Sequence, residues 1–384
     1  MATRDRQVHD WPRAFRTLGD SRFRMILATV LWAVGALVLT LVLIRQAGLP
    51  LAQGQYGFDF LAYQRSSQLL LATGSPYDPS MLAGPVPAQG ALLLKYPPIL
   101  AQLLVPFANL PLDTANTIWL VIQAACAYAG VWLAGSAGGL RPSRERLLWT
   151  GVACTWFLPV FDTLWVGNIS GVLAGLVGLA AYAGLRGGAA LAGLGLLKGI
   201  AGLAAPVALV RDRRTAVGAV GTAALGIGLS ALFAPAAWVD YLRILPNLIA
   251  GSPAFASNFA PDQALGRLAP GNPMLGQTAR VVAVIVGIGA LALGCLQARR
   301  PDGWVAAVTL GVVASLLIPS ALWYHFFVLL LPLGALAWGR LGPSARASLV
   351  GAGALLTVGL AAPILTVVGA SIFVGLVVAS TWSR

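Results

Sequence analysis

The stretch that decides the fold is MILATVLWAVGALVLTLVLI, residues 25–44. It contains no charged residue, and its length is what an α-helix needs to cross roughly 30 Å of hydrocarbon. Similar stretches follow along the chain, which is 58% hydrophobic and only 10% charged. Soluble domains carry roughly 25% charged residues. The sequence therefore predicts an integral membrane protein.

Apolar segments of spanning length recur along the chain. We predict spans at 25–45, 114–135, 147–165, 168–186, 214–234, 279–297, 304–319, 321–339, 346–361 and 363–381. A further apolar stretch, 187–210, is broken by Lys198 and Pro206. We interpret it as two half-helices that enter and return on one side, which is tolerated where the backbone faces protein or water.

This pattern predicts an all-α fold, a polytopic membrane bundle of about 10–12 transmembrane helices with short interfacial helices in its outer loops. We expect one domain over residues 25–381, preceded by a tail of residues 1–24. The three cysteines, at positions 126, 154 and 295, lie far apart in apolar stretches. Their spacing is not that of a metal or redox site, and no phosphate-cradling glycine-rich motif is present.

Positive charge is distributed unevenly along the chain, whose formal net charge is +13. If the N terminus is cytoplasmic, 18 of the 25 Lys and Arg residues fall in the tail and in alternate loops on the same side. This follows the positive-inside rule. It predicts a multi-pass protein of the cytoplasmic membrane with long loops 46–113 and 235–278 on the non-cytoplasmic face. We expect membrane lipids, and not nucleic acid, as the partners of these cations.

Three ionisable residues on the predicted outer face are candidates for chemistry, because such residues at a membrane boundary are costly without a partner or a function. Asp59 is either a general base or a helix N-cap. His325 is either a site residue or an interfacial histidine beside the aromatic-belt residues Trp323 and Tyr324. Lys198 is either a counter-charge for a phosphate or a snorkelling lysine.

The order of these segments resembles glycosyltransferase family 87, the polyprenol-phosphate-mannose-dependent mannosyltransferases of the GT-C superfamily. The resemblance covers residues 25–340, and its late motif departs from the family's Ser-Pro-x-x-Trp pattern because here the Pro precedes the Ser. The matching segments are Asp59 with Tyr63, Gly74-Ser75-Pro76-Tyr77, Tyr96-Pro97-Pro98 with Pro106-Phe107 and Leu110-Pro111, Gly167-Asn168 followed by Lys198, Asn258 through Arg267, and Pro319 through His325.

The resemblance implies a GT-C type fold and a mannosyltransferase that uses a polyprenyl-phosphate-sugar donor and a glycolipid or glycan acceptor. The reaction would invert the anomeric centre and form an α-glycoside, with Asp59 as general base and His325 near the donor phosphate. No cofactor and no metal are expected, because the donor carries a single phosphate. The remaining predicted contacts to donor phosphate or substrate are Lys198, Arg65, Lys95, Tyr63, Tyr96, Asn168, Asn258 and Trp323. From the residues alone, Asn168 is otherwise a turn residue, and Arg65 and Lys95 are otherwise solvated cations or contacts to lipid headgroups.

Two alternatives remain open at this stage. Family 87 also resembles arabinofuranosyltransferases that use polyprenyl-phosphate-arabinose, and the sequence does not separate the two donors. A lipid or solute transporter is the alternative from another class. It would show polar residues paired at mid-membrane across an inverted repeat, whereas here the polar residues lie at the predicted outer boundary.

Overall fold

The computed structural model describes residues 21–47, 56–84, 92–250, 258–269, 272–359 and 363–382. The predicted tail up to residue 20 and parts of both long loops lie outside the described residues. Within the described ranges the secondary structure is helical, apart from an isolated β-bridge between Asn258 and Trp323. The predicted all-α class is confirmed.

The described residues form eighteen α-helices and three 3₁₀ segments. The 3₁₀ segments are Val105–Phe107, Gly199–Ala204 and Tyr324–Leu329. The α-helices are α1 Ser21–Ala47, α2 Phe58–Thr73, α3 Pro79–Leu82, α4 Pro98–Leu103, α5 Leu112–Ala137, α6 Arg144–Trp156, α7 Leu158–Val166, α8 Ser170–Ala180, α9 Leu185–Leu197, α10 Pro206–Leu209, α11 Arg213–Phe233, α12 Pro235–Ala250, α13 Pro261–Leu268, α14 Pro273–Ala298, α15 Trp304–Leu317, α16 Leu330–Trp338, α17 Pro343–Val358 and α18 Pro363–Trp382.

Four helices in the described part of the chain, α1, α5, α11 and α14, are long and apolar enough to cross a membrane. The pair α6–α7 makes a fifth if it is counted as one bent span, and several shorter apolar helices accompany these. Large apolar side chains project outward from the long helices, as Val121 does with 65% exposure. The polytopic membrane class is confirmed, with fewer uninterrupted spans than the 10–12 predicted.

Two predicted spans are interrupted in the structure. The span 147–165 bends by 64° between α6 and α7, because Pro159 in the first turn of α7 has no N–H to continue the helix. The span 168–186 is helical only as far as Ala180. Its last residues belong to a turn and to α9, which begins after Gly184 in a conformation with φ of 84°.

The stretch 187–210 folds as the hairpin that the sequence predicts. Its ends meet because the Gly184 N–H donates to Thr215 Oγ1 at 2.9 Å, near the start of α11. Across the hairpin Gly195 and Gly202 approach so closely that a Cβ on either would lie within 2.9 Å of the other's Cα. Lys198 therefore lies at the tip, where α9 ends and the returning 3₁₀ segment begins.

Glycines bring α8 against α5. Gly171, Gly175 and Gly178 lie on the face of α8 that contacts α5, and a Cβ on Gly178 would lie 2.1 Å from the carbonyl oxygen of Gly130. Small residues at such contacts let two helix backbones pack closely. This packing fixes the turn that precedes α8 relative to the N-terminal half of α5.

The arginine-rich loops gather at one end of the bundle, which we call the arginine end. Their guanidinium groups donate to carbonyl oxygens at helix C termini, which have no partner within the helix, and in the loops just beyond them. Such bonds join Arg146 to Leu140 (2.7 Å), Arg211 to Ala298 (3.0 Å) and Arg346 to Trp338 (3.0 Å). Further contacts join Tyr182 to Leu133 (3.2 Å) and Trp304 to Ala180 (2.9 Å). The loops predicted to be cytoplasmic thus lie together, while their orientation in a membrane stays a prediction.

Candidate active site

Asp59 lies in the first turn of α2, at the end of α5 opposite the arginine end. The N-cap residue of α2 is Gly57, which has φ of 67° and leaves the helix start without a side-chain cap. The Gly57 N–H donates to the carbonyl oxygen of Trp165 at 2.8 Å and so ties α2 to the end of α7. The structure excludes the N-cap interpretation of Asp59 and leaves its carboxylate for another partner.

That partner is Asn168, in the turn between α7 and α8. Asn168 Nδ2 donates to Asp59 Oδ2 at 2.6 Å and to the Tyr96 hydroxyl at 3.2 Å. The turn depends on Gly167, which has φ of 70° and packs so tightly that a Cβ would lie 2.8 Å from Phe60 Cβ. Only glycine adopts this conformation without strain. Gly57 precedes Asp59 and Gly167 precedes Asn168, and both glycines have left-handed backbone conformations. These two turns therefore bring the carboxylate and the amide together.

Lys198 reaches the same cluster from the tip of the hairpin. Its side chain is buried, with 3% of the residue exposed, and Nζ donates to Asn168 Oδ1 at 3.3 Å. The ammonium also lies 3.3 Å from the ring centre of Phe326 and 5.1 Å from that of Tyr96, as cation–π contacts require. In the described residues no ion pair within 4.0 Å joins it to Asp59. A buried lysine with these partners does not snorkel to the surface.

His325 joins the cluster indirectly. It is buried in the 3₁₀ segment that precedes α16, with Nδ1 at 3.4 Å from Asp162 Oδ2. Its ring packs edge-on against Phe326, with ring centres 4.9 Å apart, and Phe326 in turn contacts Lys198. Nε2 is buried and has no hydrogen-bond partner among the described residues. The burial excludes an open interfacial histidine, and the contacts connect His325 to Lys198 only through the Phe326 ring.

Two predicted tyrosines complete the wall of the cluster. The rings of Tyr63 and Tyr96 pack with centres 5.7 Å apart, and Tyr77 holds the Tyr96 backbone by donating to its carbonyl oxygen at 2.8 Å. Desolvation, and then the negative charge of Asp59, raise the pKa of Tyr96 above its ordinary value. Its hydroxyl therefore stays protonated and neutral beside the carboxylate.

The structure separates the two other predicted cations. Lys95 is exposed and directly precedes Tyr96, so it belongs to the rim of the cluster. Partial desolvation lowers the pKa of Lys95, and the nearby charge of Asp59 opposes that shift. Arg65 is exposed on α2 and acts on Asp78, whose pKa is lowered first by hydrogen bonds from Ser80 and then by Arg65. Arg65 therefore lies outside the Asp59 cluster.

Asn258 clamps two segments of backbone together. Its Oδ1 accepts from the N–H groups of Ala260 (3.0 Å) and Leu322 (2.9 Å), and its Nδ2 donates to the Ser320 carbonyl oxygen at 3.2 Å. Trp323 pairs with it through the isolated bridge. Through these bonds Asn258 and Trp323 hold the backbone segment that leads to His325 in place.

A separate cleft of 560 Å³ lies between α13 and α14. None of the residues that line it belongs to the Asp59 cluster. Its polar lining consists of Asp262, Gln263, Arg267, Asn272, Gln277 and Arg280.

Sequence reasoning missed two members of the site. Asp162, the partner of His325, stands near the outer end of a predicted span, and that position is a signal that could have identified it. Phe326, which lies under the Lys198 ammonium, has no distinguishing signal, because an aromatic residue in an apolar stretch is indistinguishable from ordinary packing.

Comparison with known proteins identifies the family. The model of glycosyltransferase family 87 matches residues 94–320, which include Tyr96, Asn168 and Lys198, whereas Asp59 and His325 lie outside that range. No curated protein and no solved structure matches the chain. The match covers more than half of the sequence. The chain therefore belongs to glycosyltransferase family 87 and is a glycosyltransferase built on a bundle of membrane helices.

Proposed function

We propose that this protein transfers a mannosyl residue from a polyprenyl-phosphate donor to a hydroxyl group of a glycolipid or glycan on the non-cytoplasmic face of the cytoplasmic membrane. Membership of family 87 shows that the protein transfers sugars. The identity of the donor, the identity of the acceptor and the membrane face are what we propose. One observation carries it. The Asp59 carboxylate is held 2.6 Å from Asn168, beside the buried cation Lys198 and at the end of the bundle away from the arginine loops.

In the proposed reaction the oxygen of the acceptor hydroxyl attacks the anomeric carbon from the side opposite the phosphate. The bond from that carbon to the phosphate oxygen breaks, and its electron pair leaves on the polyprenyl phosphate. The hydroxyl proton passes to Asp59. A single displacement inverts the anomeric centre, so a β-linked donor gives an α-glycoside. A positioned general base contributes about 10²–10⁴-fold to such a step.

The departing phosphate gains negative charge, and the cluster has cations to stabilise it. Lys198 has three N–H donors, of which one makes a hydrogen bond to Asn168 in the described residues. Lys95 adds a second positive charge at the rim, and His325 offers its buried Nε2. Preorganised donors of this kind act most strongly on charge that develops in the transition state. A single phosphate needs no more counter-charge than these groups supply, so we propose a metal-independent reaction.

The same groups would serve a polyprenyl-phosphate-arabinose donor, which remains the alternative within this chemistry. Family membership sets aside the transporter alternative, because a family 87 protein transfers sugars.

The donor is tested with purified protein and a mannolipid acceptor. Polyprenyl-phosphate-mannose, polyprenyl-phosphate-arabinose and a nucleotide-activated mannose are supplied separately, with and without EDTA. We expect α-linked mannose on the acceptor, release of one polyprenyl phosphate per sugar transferred, and no effect of EDTA. Transfer from the nucleotide sugar alone, or a β-linked product, would contradict the proposal, and transfer from the arabinose donor alone would replace mannose by the alternative sugar.

A further inference from the structure

We infer that Asn168 is a positioning residue that couples the base to the cation: its amide orients the Asp59 carboxylate and holds Lys198 away from it. The inference rests on the proposed role of Asp59 as the base. It replaces the substrate contact that the sequence predicts for Asn168 with an action through another side chain.

The orientation of the Asn168 amide is determined by its partners. The atom assigned as Oδ1 lies 3.3 Å from Lys198 Nζ, 3.1 Å from the Ser170 N–H nitrogen and 2.6 Å from Ser170 Oγ. An ammonium group and a backbone N–H can only donate. The amide oxygen must therefore face them, and the NH₂ group must face Asp59 and Tyr96.

The backbone of Asn168 is held as firmly as its side chain. The residue is 1% exposed, and its N–H donates to the Thr163 carbonyl oxygen at 3.0 Å. Trp119 Nε1 donates to the carbonyl oxygen of the preceding Gly167 at 2.7 Å. The two partners belong to α7 and α5, which also pack against α2, the helix that carries Asp59. The amide is therefore a rigid support, which is what a catalytic group needs to stay in productive geometry.

This support has two consequences for the chemistry. The bond from Asn168 fixes Asp59 Oδ2, and no described residue donates to Oδ1, so one carboxylate oxygen is oriented and the other is left for the acceptor hydroxyl. A neutral amide also stands between the carboxylate and the ammonium. A direct ion pair with Lys198 would occupy the electron pairs that the base needs, and would occupy N–H groups that the phosphate needs.

Burial and saturation of the amide argue against direct contact with substrate. The oxygen accepts from Lys198 and Ser170, and the two N–H groups donate to Asp59 and Tyr96. A substrate group would have to displace one of these partners to reach Asn168.

The test is a double-mutant cycle between Asn168→Ala and Asp59→Asn, measured as transfer from polyprenyl-phosphate-mannose to the mannolipid. We expect Asn168→Ala to lower kcat about 30-fold, since small misplacements of reacting groups cost up to about 10²-fold, with the donor KM changed less than about twofold. In the Asp59→Asn background the same substitution should cause no further loss, because residues that act as a unit are non-additive.

Asn168→Asp provides a variant of nearly the same volume in case the alanine variant does not fold. It replaces the NH₂ donor with an oxygen that repels Asp59, so we expect a loss of kcat at least as large. Gln123→Met is the matched control. It removes another buried amide, whose Oε1 accepts from the Val172 N–H at 3.1 Å and makes no contact with Asp59. We expect wild-type kcat per folded molecule.

The outcomes separate this inference from the proposed function. Equal losses in both backgrounds, or a raised donor KM with unchanged kcat, would overturn the positioning role and leave Asp59 as the base. Wild-type transfer by Asp59→Asn alone would overturn the base, and the positioning role with it. A loss of kcat in Gln123→Met as large as in Asn168→Ala would show that any buried amide lost from this region has the same effect, and would also overturn the inference.

Discussion

The two ends of the bundle use positive charge in different ways. At the arginine end guanidinium groups are bound to backbone carbonyls, as Arg211 is to Ala298 (3.0 Å) and Pro301 (2.7 Å). At the opposite end Lys198 makes one hydrogen bond to a side-chain amide and otherwise faces the aromatic rings of Phe326 and Tyr96. The first use completes the hydrogen bonding of helix ends, whereas the second leaves donor capacity that a phosphate can use.

The two uses of positive charge differ in the groups to which the cation is bonded, and not in the end of the bundle at which it lies. Arg280 lies at the same end as Lys198, yet it donates to the carbonyl oxygens of Ile318 (2.6 Å) and Pro319 (2.7 Å). It belongs with the structural arginines. Counting cations on the predicted outer face would therefore overstate the number available to a substrate.

The largest effect expected from this comparison is at Lys198. Lys198→Met removes the buried charge while keeping an unbranched side chain, and we expect kcat/KM to fall about 100-fold, as for the loss of one preorganised donor to a developing charge. The measurement is transfer from the polyprenyl-phosphate donor by purified protein. Arg211→Met, which removes a cation from the arginine end, is the control and should keep the wild-type rate. Equal rates for the two variants would show that the cations at the two ends do not differ in their contribution to transfer.

The next effect concerns the left-handed glycine beneath the site. Gly167→Ala places a Cβ 2.8 Å from Phe60 Cβ in a conformation that costs non-glycine residues about 1–3 kcal/mol, so we expect a marked fall in thermal stability together with lost activity.

Gly139→Ala is its matched control at the arginine end. Gly139 has φ of 88° but nothing within 4 Å of a built Cβ, so it carries the backbone cost without the clash. A smaller fall in Tm and an unchanged transfer rate are expected. If both variants lost the same stability and kept full activity, the tight turn at Gly167 would have no role in positioning Asn168.

A smaller effect is expected at His325. His325→Gln keeps a polar group in the pocket beside Phe326 but removes the imidazole Nε2 that is proposed to assist the departing phosphate, and we expect kcat to fall about tenfold. Asp162→Asn should also lower kcat, because Asp162 acts through the histidine. Unchanged kcat in both variants would remove the pair from the mechanism.

The smallest effect is the stability cost at the arginine end. Arg211→Met leaves three carbonyl oxygens, those of Ala298, Arg300 and Pro301, without their donor. The bonds to Arg300 and Pro301 are exposed, so water can replace the lost donor and we expect a loss of only about 1 kcal/mol in the free energy of unfolding. A loss of activity larger than the loss of folded protein would show that this end contributes to catalysis.

Much of this arrangement could be predicted from sequence. The charge pattern placed Asp59, Lys198 and His325 on the same face, and the hairpin at Lys198 followed from its interrupted apolar pattern. Helical spacing would also have separated Arg65 from the other two predicted residues of α2. Asp59 and Tyr63 are four residues apart and share a face of α2, whereas Arg65 lies two residues beyond Tyr63 and must point elsewhere.

Other features depend on tertiary contacts that no local pattern reports. The pairing of Asp162 with His325 arises because α7 packs against the segment before α16. Asn258 looks like a site residue by type, and only the positions of Ser320 and Leu322 show that its amide is bound to backbone. The sequence suggested residues for the site, and the packing decided which of them meet.

The central claim, that the Asp59 carboxylate is the base, is tested most directly by comparing Asp59→Asn with Asp113→Asn at saturating polyprenyl-phosphate donor. Asp113 is an exposed acid in the first turn of α5, at the same end of the bundle. The account predicts a loss of at least about 100-fold for Asp59→Asn and a wild-type rate for Asp113→Asn. Transfer at the wild-type rate by the Asp59→Asn protein would contradict it.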